Sequence, residues 1–239
     1  MSSEIKKAIL NPAGHSDDGE ECQVICAPFF FLLFTESGIG AMKDQKNELI
    51  SLPPPRTEGG MPLNEALARR ESVRRFSGEP LTPEEISQLL WSAQGITRAW
   101  KARTAPSAGA LYPLEIFLAA RDGVFRYIPA GNGLRRISRE NVLESLSSAA
   151  LGQGAVREAP AVAVITAVYQ RIEKKYGARG GRYVDIEAGH AAQNMLLTAV
   201  SLGLGAVPVG AFRDERIQEI MGISPDHRPL YLIPVGRIF

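Results

Sequence analysis

Three stretches of this sequence gather side chains that could hold a flat, anionic organic molecule. The first is Arg70-Glu71-Ser72-Val73-Arg74-Arg75-Phe76. A guanidinium offers a phosphate a planar fork of donors, and a serine hydroxyl adds a neutral donor. Arg74 lies one turn beyond Arg70 if a helix continues through the run. The same run also reads as a solvated, arginine-rich helix end that complements the helix dipole. The second stretch is Ala105-Pro106-Ser107-Ala108-Gly109-Ala110-Leu111-Tyr112-Pro113. Its small residues let backbone approach a ligand closely, although a plain loop between prolines would look the same. The third is Gly203 to Phe212, GLGAVPVGAF. Its Gly-x-Gly follows a helix rather than a strand, and no further glycine opens the next helix at the right spacing, which disfavours a Rossmann dinucleotide site.

Other chemistries find little support. The chain has no P-loop, no His-Glu-x-x-His and no Gly-x-Ser-x-Gly. His190 falls inside a helix with no nucleophile near it in sequence, and reads as a packed or partner-facing residue. The three histidines are scattered, and the two cysteines, Cys22 and Cys26, lack the spacing or partners of a structural metal site. No metal is expected. So few cysteines, so close together, fit a reducing compartment, so the expected location is the cytoplasm. A net charge of +1 gives no global attraction to nucleic acid or an anionic membrane. The apolar run Val24 to Phe34 is shorter than the roughly 20 residues of a bilayer span. Acidic residues precede it and Pro28 interrupts it, which argues against a secretion signal.

The elements that must position these stretches follow from periodicity. Residues 1 to 41 show none, and read as an extension without fixed structure or as sequence upstream of a start at Met42. Ser51 to Gly60, SLPPPRTEGG, reads as an extended, exposed linker. Residues 1–60 are therefore expected to be an N-terminal extension and linker, and residues 61–239 the folded domain. Asn64 is expected to cap a short helix through Arg69. Thr82-Pro83-Glu84-Glu85 combines a cap, a first-turn proline and a capping box, and apolar positions carry that helix to Gly95. Leu114 to Ala120 reads as a strand that turns at Asp122-Gly123 into Val124 to Ile128. Arg139 to Leu151 reads as a helix, and Ala161 to Val168 as a buried strand. Asp185 to Leu202 reads as a long helix ended by Gly203 and Gly205. A helix capped by Asp214 runs to Met221, and a last strand spans Leu230 to Val235. With 45% apolar and 22% charged residues, these elements make an α+β domain of three layers.

In this order and spacing, the three stretches resemble the nitroreductase-like flavoprotein family over roughly residues 61 to 239. The resemblance implies a mostly antiparallel central sheet flanked by helices, and a homodimer with FMN at the subunit interface. It implies that Arg70 and Ser72 hold the FMN phosphate and ribityl chain, and that Arg74 faces the flavin N1/O2 edge. Pro106, Ser107 and Gly109 would reach FMN from the partner subunit. Pro208, Val209, Gly210 and Ala211 would pack on the flavin, and Arg237 would be a late phosphate ligand. The stretch Pro106 to Phe117 is similar to the branch of azoline dehydrogenases of the SagB type. In that branch a Lys-Tyr pair is assigned to catalysis, and Lys175-Tyr176 matches it in sequence. An ordinary exposed helix end matches as well.

The reaction this resemblance implies is ping-pong two-electron transfer through FMN. NAD(P)H or an organic donor would supply the electrons, and a nitroaromatic, a quinone or an azoline-type small molecule or peptide would be the other substrate. A cation at the N1 edge favours the charge that reduced flavin carries there. The rival reading is a non-catalytic flavin-binding or storage protein. Flavin destruction or reductive dehalogenation would need pocket insertions that this sequence does not show.

Overall fold

The computed structural model describes residues 49–239. The calls that fall on earlier residues, including the cysteines and the apolar run, lie outside this range. Among the described residues, seven strands form one sheet in the order β1 (Leu49–Ser51), β4 (Gly133–Ser138), β3 (Gly123–Ile128), β2 (Leu114–Ala120), β5 (Ala161–Ala167), β7 (Arg228–Arg237), β6 (Leu204–Ala206), and every neighbouring pair is antiparallel. Strands β2 (Leu114–Ala120) and β5 (Ala161–Ala167) are buried along their length, as their apolar runs require. Their side chains alternate between two cores. Ile116, Leu118, Ala163 and Ile165 enter one, while Phe117, Ala119, Val162 and Val164 enter the other. Helices α2 (Pro83–Gln94) and α6 (Gly180–Ser201) cover the first face. Helices α3 (Leu143–Ala149), α4 (Gly154–Glu158) and α7 (Asp214–Met221) cover the second. The domain is thus an α+β sandwich of three layers.

Local rules account for much of this. Thr82 accepts from the Glu85 N–H at 3.2 Å and Glu85 returns the bond to the Thr82 N–H at 2.8 Å, closing the expected capping box. Strands β2 and β3 (Gly123–Ile128) form the expected hairpin. Other expectations need correction. Helix α1 (Leu63–Arg69) starts after Pro62 and has no side-chain cap, so Asn64 lies inside it. Asp214 is likewise the first residue of α7, with Arg213 at its cap position. The long helix α6 begins at Gly180, and after it Gly203 turns with φ +73° into a short strand, β6 (Leu204–Ala206). Strand β7 (Arg228–Arg237) is longer than expected, β4 (Gly133–Ser138) is an addition, and the helix end read at Lys175-Tyr176 closes a short helix, α5 (Gln170–Tyr176).

The sheet also begins before Met61. Strand β1 (Leu49–Ser51) pairs with β4, and the proline-rich stretch after it is anchored rather than free. Arg56 exchanges two hydrogen bonds with the Gln88 side chain, at 2.8 and 3.1 Å. Asn132 ties this stretch to the hairpin. Its amide donates to the Pro53 carbonyl at 2.9 Å and to Ser87 at 2.8 Å, and its oxygen accepts from the buried Tyr127 hydroxyl at 2.8 Å. Asn132 adopts φ +46°, a conformation asparagine tolerates better than most residues. Replacing it by alanine leaves a buried hydroxyl unpaired and should destabilise the fold by about 2–3 kcal/mol. Urea unfolding of Asn132→Ala against the parent chain checks this.

Candidate functional site

The arginine-rich stretch leaves α1 at Arg70 and runs extended, not helical, along the sheet edge. Ser72 forms a parallel bridge with Ala206, and the Val73 N–H donates to the Ala206 carbonyl at 3.1 Å. Farther on, the Ser77 N–H donates to the Arg237 carbonyl at 3.0 Å. The reading in which Arg74 stacks one helical turn above Arg70 is therefore replaced. Alternate residues of an extended run share a face, which groups Arg70, Ser72 and Arg74. Val73 points the other way, onto the core, while Ser72 and Arg74 are exposed. A Cβ on Gly205 would lie 2.6 Å from Val73 Cγ1, so only glycine permits this approach.

Beyond β6 the chain stays beside β7. Val209 exchanges backbone hydrogen bonds with Leu232 at 2.8 and 2.9 Å, and Gln153 donates to the Ala211 carbonyl at 3.1 Å. Val209 is buried, Pro208 is half-buried, and Gly210 and Ala211 are exposed. From Ala206, the partner of Ser72, this segment runs along β7 to Leu232, so the open backbone of Gly210 and Ala211 lies part-way along the sheet. Arg237 is placed at the same end of the sheet but is engaged with carboxylates. Its Nη1 lies 3.0 Å from Glu85 Oε1, its Nη2 3.2 Å from Glu85 Oε2, and its Nε 3.3 Å from Glu79.

A second group forms around the loop before β2. Gly109 has φ +61°, and a Cβ placed on it would lie 2.8 Å from the Tyr176 hydroxyl and 2.9 Å from Lys175 Nζ. The loop and the Lys-Tyr pair, far apart in sequence, thus meet in the fold. Tyr176 packs edge-on against Tyr183, and Lys175 Nζ lies 5.5 Å from the Tyr176 ring centre. The loop is held from below. Ser107 Oγ accepts from the Tyr112 N–H at 2.9 Å. Arg171 donates to the Tyr112 carbonyl at 3.2 Å and pairs with Glu115 at 2.5 Å. Pro106 and Gly109 are exposed and Ser107 is half-buried.

The two groups sit at opposite ends of the sheet. Leu114 pairs with Ala167 and Ala161 pairs with Val235, so the length of β5 separates them. Six strand steps span roughly 20 Å at about 3.4 Å each. Helix α6 gives the same scale. Ser201 Oγ accepts from the Met61 N–H just before α1, whereas Ser107 acts on the Glu187 carboxyl. Fourteen helical steps between Glu187 and Ser201 amount to about 21 Å.

Glu187 was not singled out from the sequence. It is 1% exposed, and neither carboxylate oxygen closes a hydrogen bond. Burial pushes its carboxyl up to about 7, against the opposing effects of Ser107, Arg103 and Gln94. The signal was available in its place on the helix. Val184, Ala188, Ala191 and Met195 form the buried stripe of α6, and Glu187 falls within it. His190 is exposed on the same helix. A separate cavity of about 310 Å³, lined by Phe117, Arg126, Arg135, Arg136 and His227, touches neither group. Among the described residues, no cluster of His, Cys, Asp and Glu could hold a metal ion, and no helix is long and apolar enough to cross a membrane.

Comparison with known proteins gives a consistent picture. The profile of the nitroreductase family matches residues 67–237. A candidate nitroreductase of Methanocaldococcus jannaschii is 48% identical over 181 residues, covering 73% of this chain and 90% of that protein. The microcin B17-processing protein McbC of Escherichia coli is 27% identical over 51% of this chain and 49% of its own length. Among solved structures, a candidate nitroreductase of Ralstonia eutropha superposes with a TM-score of 0.74 at 29% identity, over 83% of this chain and 92% of that one. The NADPH:FMN oxidoreductase of Vibrio harveyi, solved with NAD+, gives a TM-score of 0.55 at 21% identity, over 73% and 68%.

Two outcomes follow from this geometry. Gly109→Ala combines a left-handed backbone with a close contact, and should cost about 1–3 kcal/mol while displacing Lys175 and Tyr176. Thermal unfolding and a crystal structure of the variant check both parts. The second concerns pH. The folded chain keeps the Glu187 proton to a higher pH than the unfolded chain, so this stabilisation is full below about 4.5 and is lost as pH rises through about 7. Glu187→Gln has no proton to lose. Its stability relative to the parent should therefore rise across this window, by on the order of 3 kcal/mol. Denaturant unfolding of both chains at several pH values reads the difference.

Proposed function

The chain belongs to the nitroreductase family of oxidoreductases, and from that premise we propose that it is an FMN enzyme that works as a homodimer. The observation that carries this reading is the Arg70–Ser72–Arg74 face, held by the Ser72–Ala206 bridge, with the open backbone of Gly210 and Ala211 four and five residues farther along the same segment. This donor set fits a ligand with one terminal phosphate and a flat ring. Arg70 and Ser72 would hold the phosphate and ribityl chain, and Pro208 to Ala211 would flank the ring. Arg237 would join them by sharing its guanidinium with Glu79 and Glu85. The separation of roughly 20 Å between the two groups supports a site completed by a second copy of the chain. Pro106, Ser107 and Gly109 would then come from the partner.

Bound there, FMN supplies two-electron chemistry between NAD(P)H or an organic donor and an acceptor such as a nitroaromatic, a quinone or an azoline. The protein's part is to bind, orient and balance charge. Arg74 would place positive charge at the flavin's N1/O2 edge. Lys175 Nζ and the Tyr176 hydroxyl, both packed against Gly109, would hold or move a proton on a small-molecule or peptide substrate. We read the compartment as cytoplasmic, on the sparse cysteines.

The purified chain should be yellow, with one FMN per subunit, as mass spectrometry of the released cofactor would read. FAD, or a colourless protein that takes up no added FMN, contradicts the proposal. FMN that neither NADH, NADPH nor an organic donor can reduce points instead to a flavin-storage protein. Two variants should separate the roles. Arg74→Ala should weaken FMN by roughly tenfold to a hundredfold, the scale of a charge-assisted contact, and lower the flavin potential. Lys175→Ala should leave FMN affinity and NAD(P)H reduction unchanged and slow only the half-reaction with the organic substrate. Redox titration and single-turnover kinetics distinguish the two.

A further inference from the structure

Glu187 sits where a helix would ordinarily place an apolar residue, beneath the loop that carries Ser107 and Gly109. Its surroundings are polar but incompletely paired. Arg103 donates from Nη1 to Gln94 Oε1 at 2.8 Å, which fixes the orientation of the Gln94 amide. The Nε2 of Gln94 is then left buried without a partner, as are both oxygens of Glu187. Ser107 and Gln94 are the neighbouring polar groups that oppose the upward shift of the Glu187 carboxyl. Ser107 Oγ already accepts from the Tyr112 N–H, so its own O–H remains to be donated. Three groups with unmet hydrogen-bonding capacity thus converge between α2, α6 and the loop. Leaving them unmade is costly in a dry interior.

We infer that Glu187 is a positioning residue: its carboxylate takes the Ser107 hydroxyl and the Gln94 amide, and so fixes the loop that sets Gly109 against Lys175 and Tyr176. Protonation removes the negative charge that draws these two donors, and leaves the loop to its contacts through Tyr112, Arg171 and Arg103. The charged and titratable groups facing this cluster are Arg103, from the stretch after α2, and, acting on Arg103, Glu115 of β2, Arg171 of α5, Tyr112 and Tyr127. Arg103 also lies 4.9 Å from the Tyr112 ring centre, so it braces the same loop. Burial sets the titration of Glu187 near neutral pH, so the switch falls within an ordinary working range. That this loop serves FMN rests on the function proposed above, whereas the contact between Glu187 and the loop does not.

The Tyr112 N–H reports on the contact, because it donates to the oxygen whose hydrogen would turn to Glu187. The full chain, labelled with 15N-tyrosine, gives few amide signals, and Tyr112→Phe assigns the relevant one. Titration from about pH 5.5 to about 8.5 should move the Tyr112 amide in one step centred near neutrality. In Glu187→Gln the signal should stay at the low-pH position throughout. Glu187→Asp, whose carboxylate is one methylene short, should shift or abolish the step. A Tyr112 amide that does not move in the parent chain overturns the inference, as does an unchanged step in Glu187→Gln. Should that variant not fold, an unmoved step in Glu187→Asp has the same force. Adding FMN to the parent sample separates the two readings. Failure to bind FMN removes the proposed function and leaves the titration to decide the role of Glu187.

Discussion

The candidate site depends on one backbone contact. An arginine-rich run that could have ended as a solvated helix tip is instead fastened to the sheet edge, through Ser72 and Val73 on Ala206. The fastening requires a missing side chain, because any Cβ on Gly205 would collide with Val73. It also requires Val73 to turn inward, and this is what turns Ser72 and the flanking arginines outward. Side-chain charge alone would leave these residues on flexible stems. Backbone pairing gives them a fixed spacing along the edge, as recognition of a phosphate demands.

Helix α6 links this edge to the second group. At one end Ser201 receives the Met61 N–H, and nearer the other end Glu187 lies beneath the loop of Ser107. A rigid helix of 22 residues keeps the two groups apart and fixed relative to each other. Two copies related by a two-fold axis would bring the arginine face of one chain to the loop of the other, twice over. In the proposed homodimer, that symmetry would reconcile the wide separation of the two groups with a single cofactor site.

Much of this was legible in the sequence where the signal was local. The Thr82 capping box needs only residues three apart, and β2 and β5 are apolar runs of strand length. Three-residue strands such as β1 and β6 carry no period to detect, and both exist only through partners distant in sequence. Helix α6 starts with Gly180-Gly181, poor helix formers that tertiary packing overrides: a Cβ on Gly180 would press on Ile172 and Glu173. The conformation of the arginine run is not legible for a related reason, since its pairing with Ala206 is a long-range contact. The meeting of Gly109 with Lys175 and Tyr176 is a long-range contact with no local signal in the sequence. A glutamate in a helix is ordinarily solvated, so only the register of Glu187 within the buried stripe marks it out.

The most direct measurement is a crystal structure of the chain soaked or grown with FMN. Binding as proposed puts one FMN on each subunit, with its phosphate on Arg70 and Ser72 and Arg74 at the N1/O2 edge. It also requires Pro106 to Gly109 of the second subunit to lie against the same flavin. A phosphate bound away from Arg70 and Ser72, or a flavin enclosed by a single chain, would contradict it.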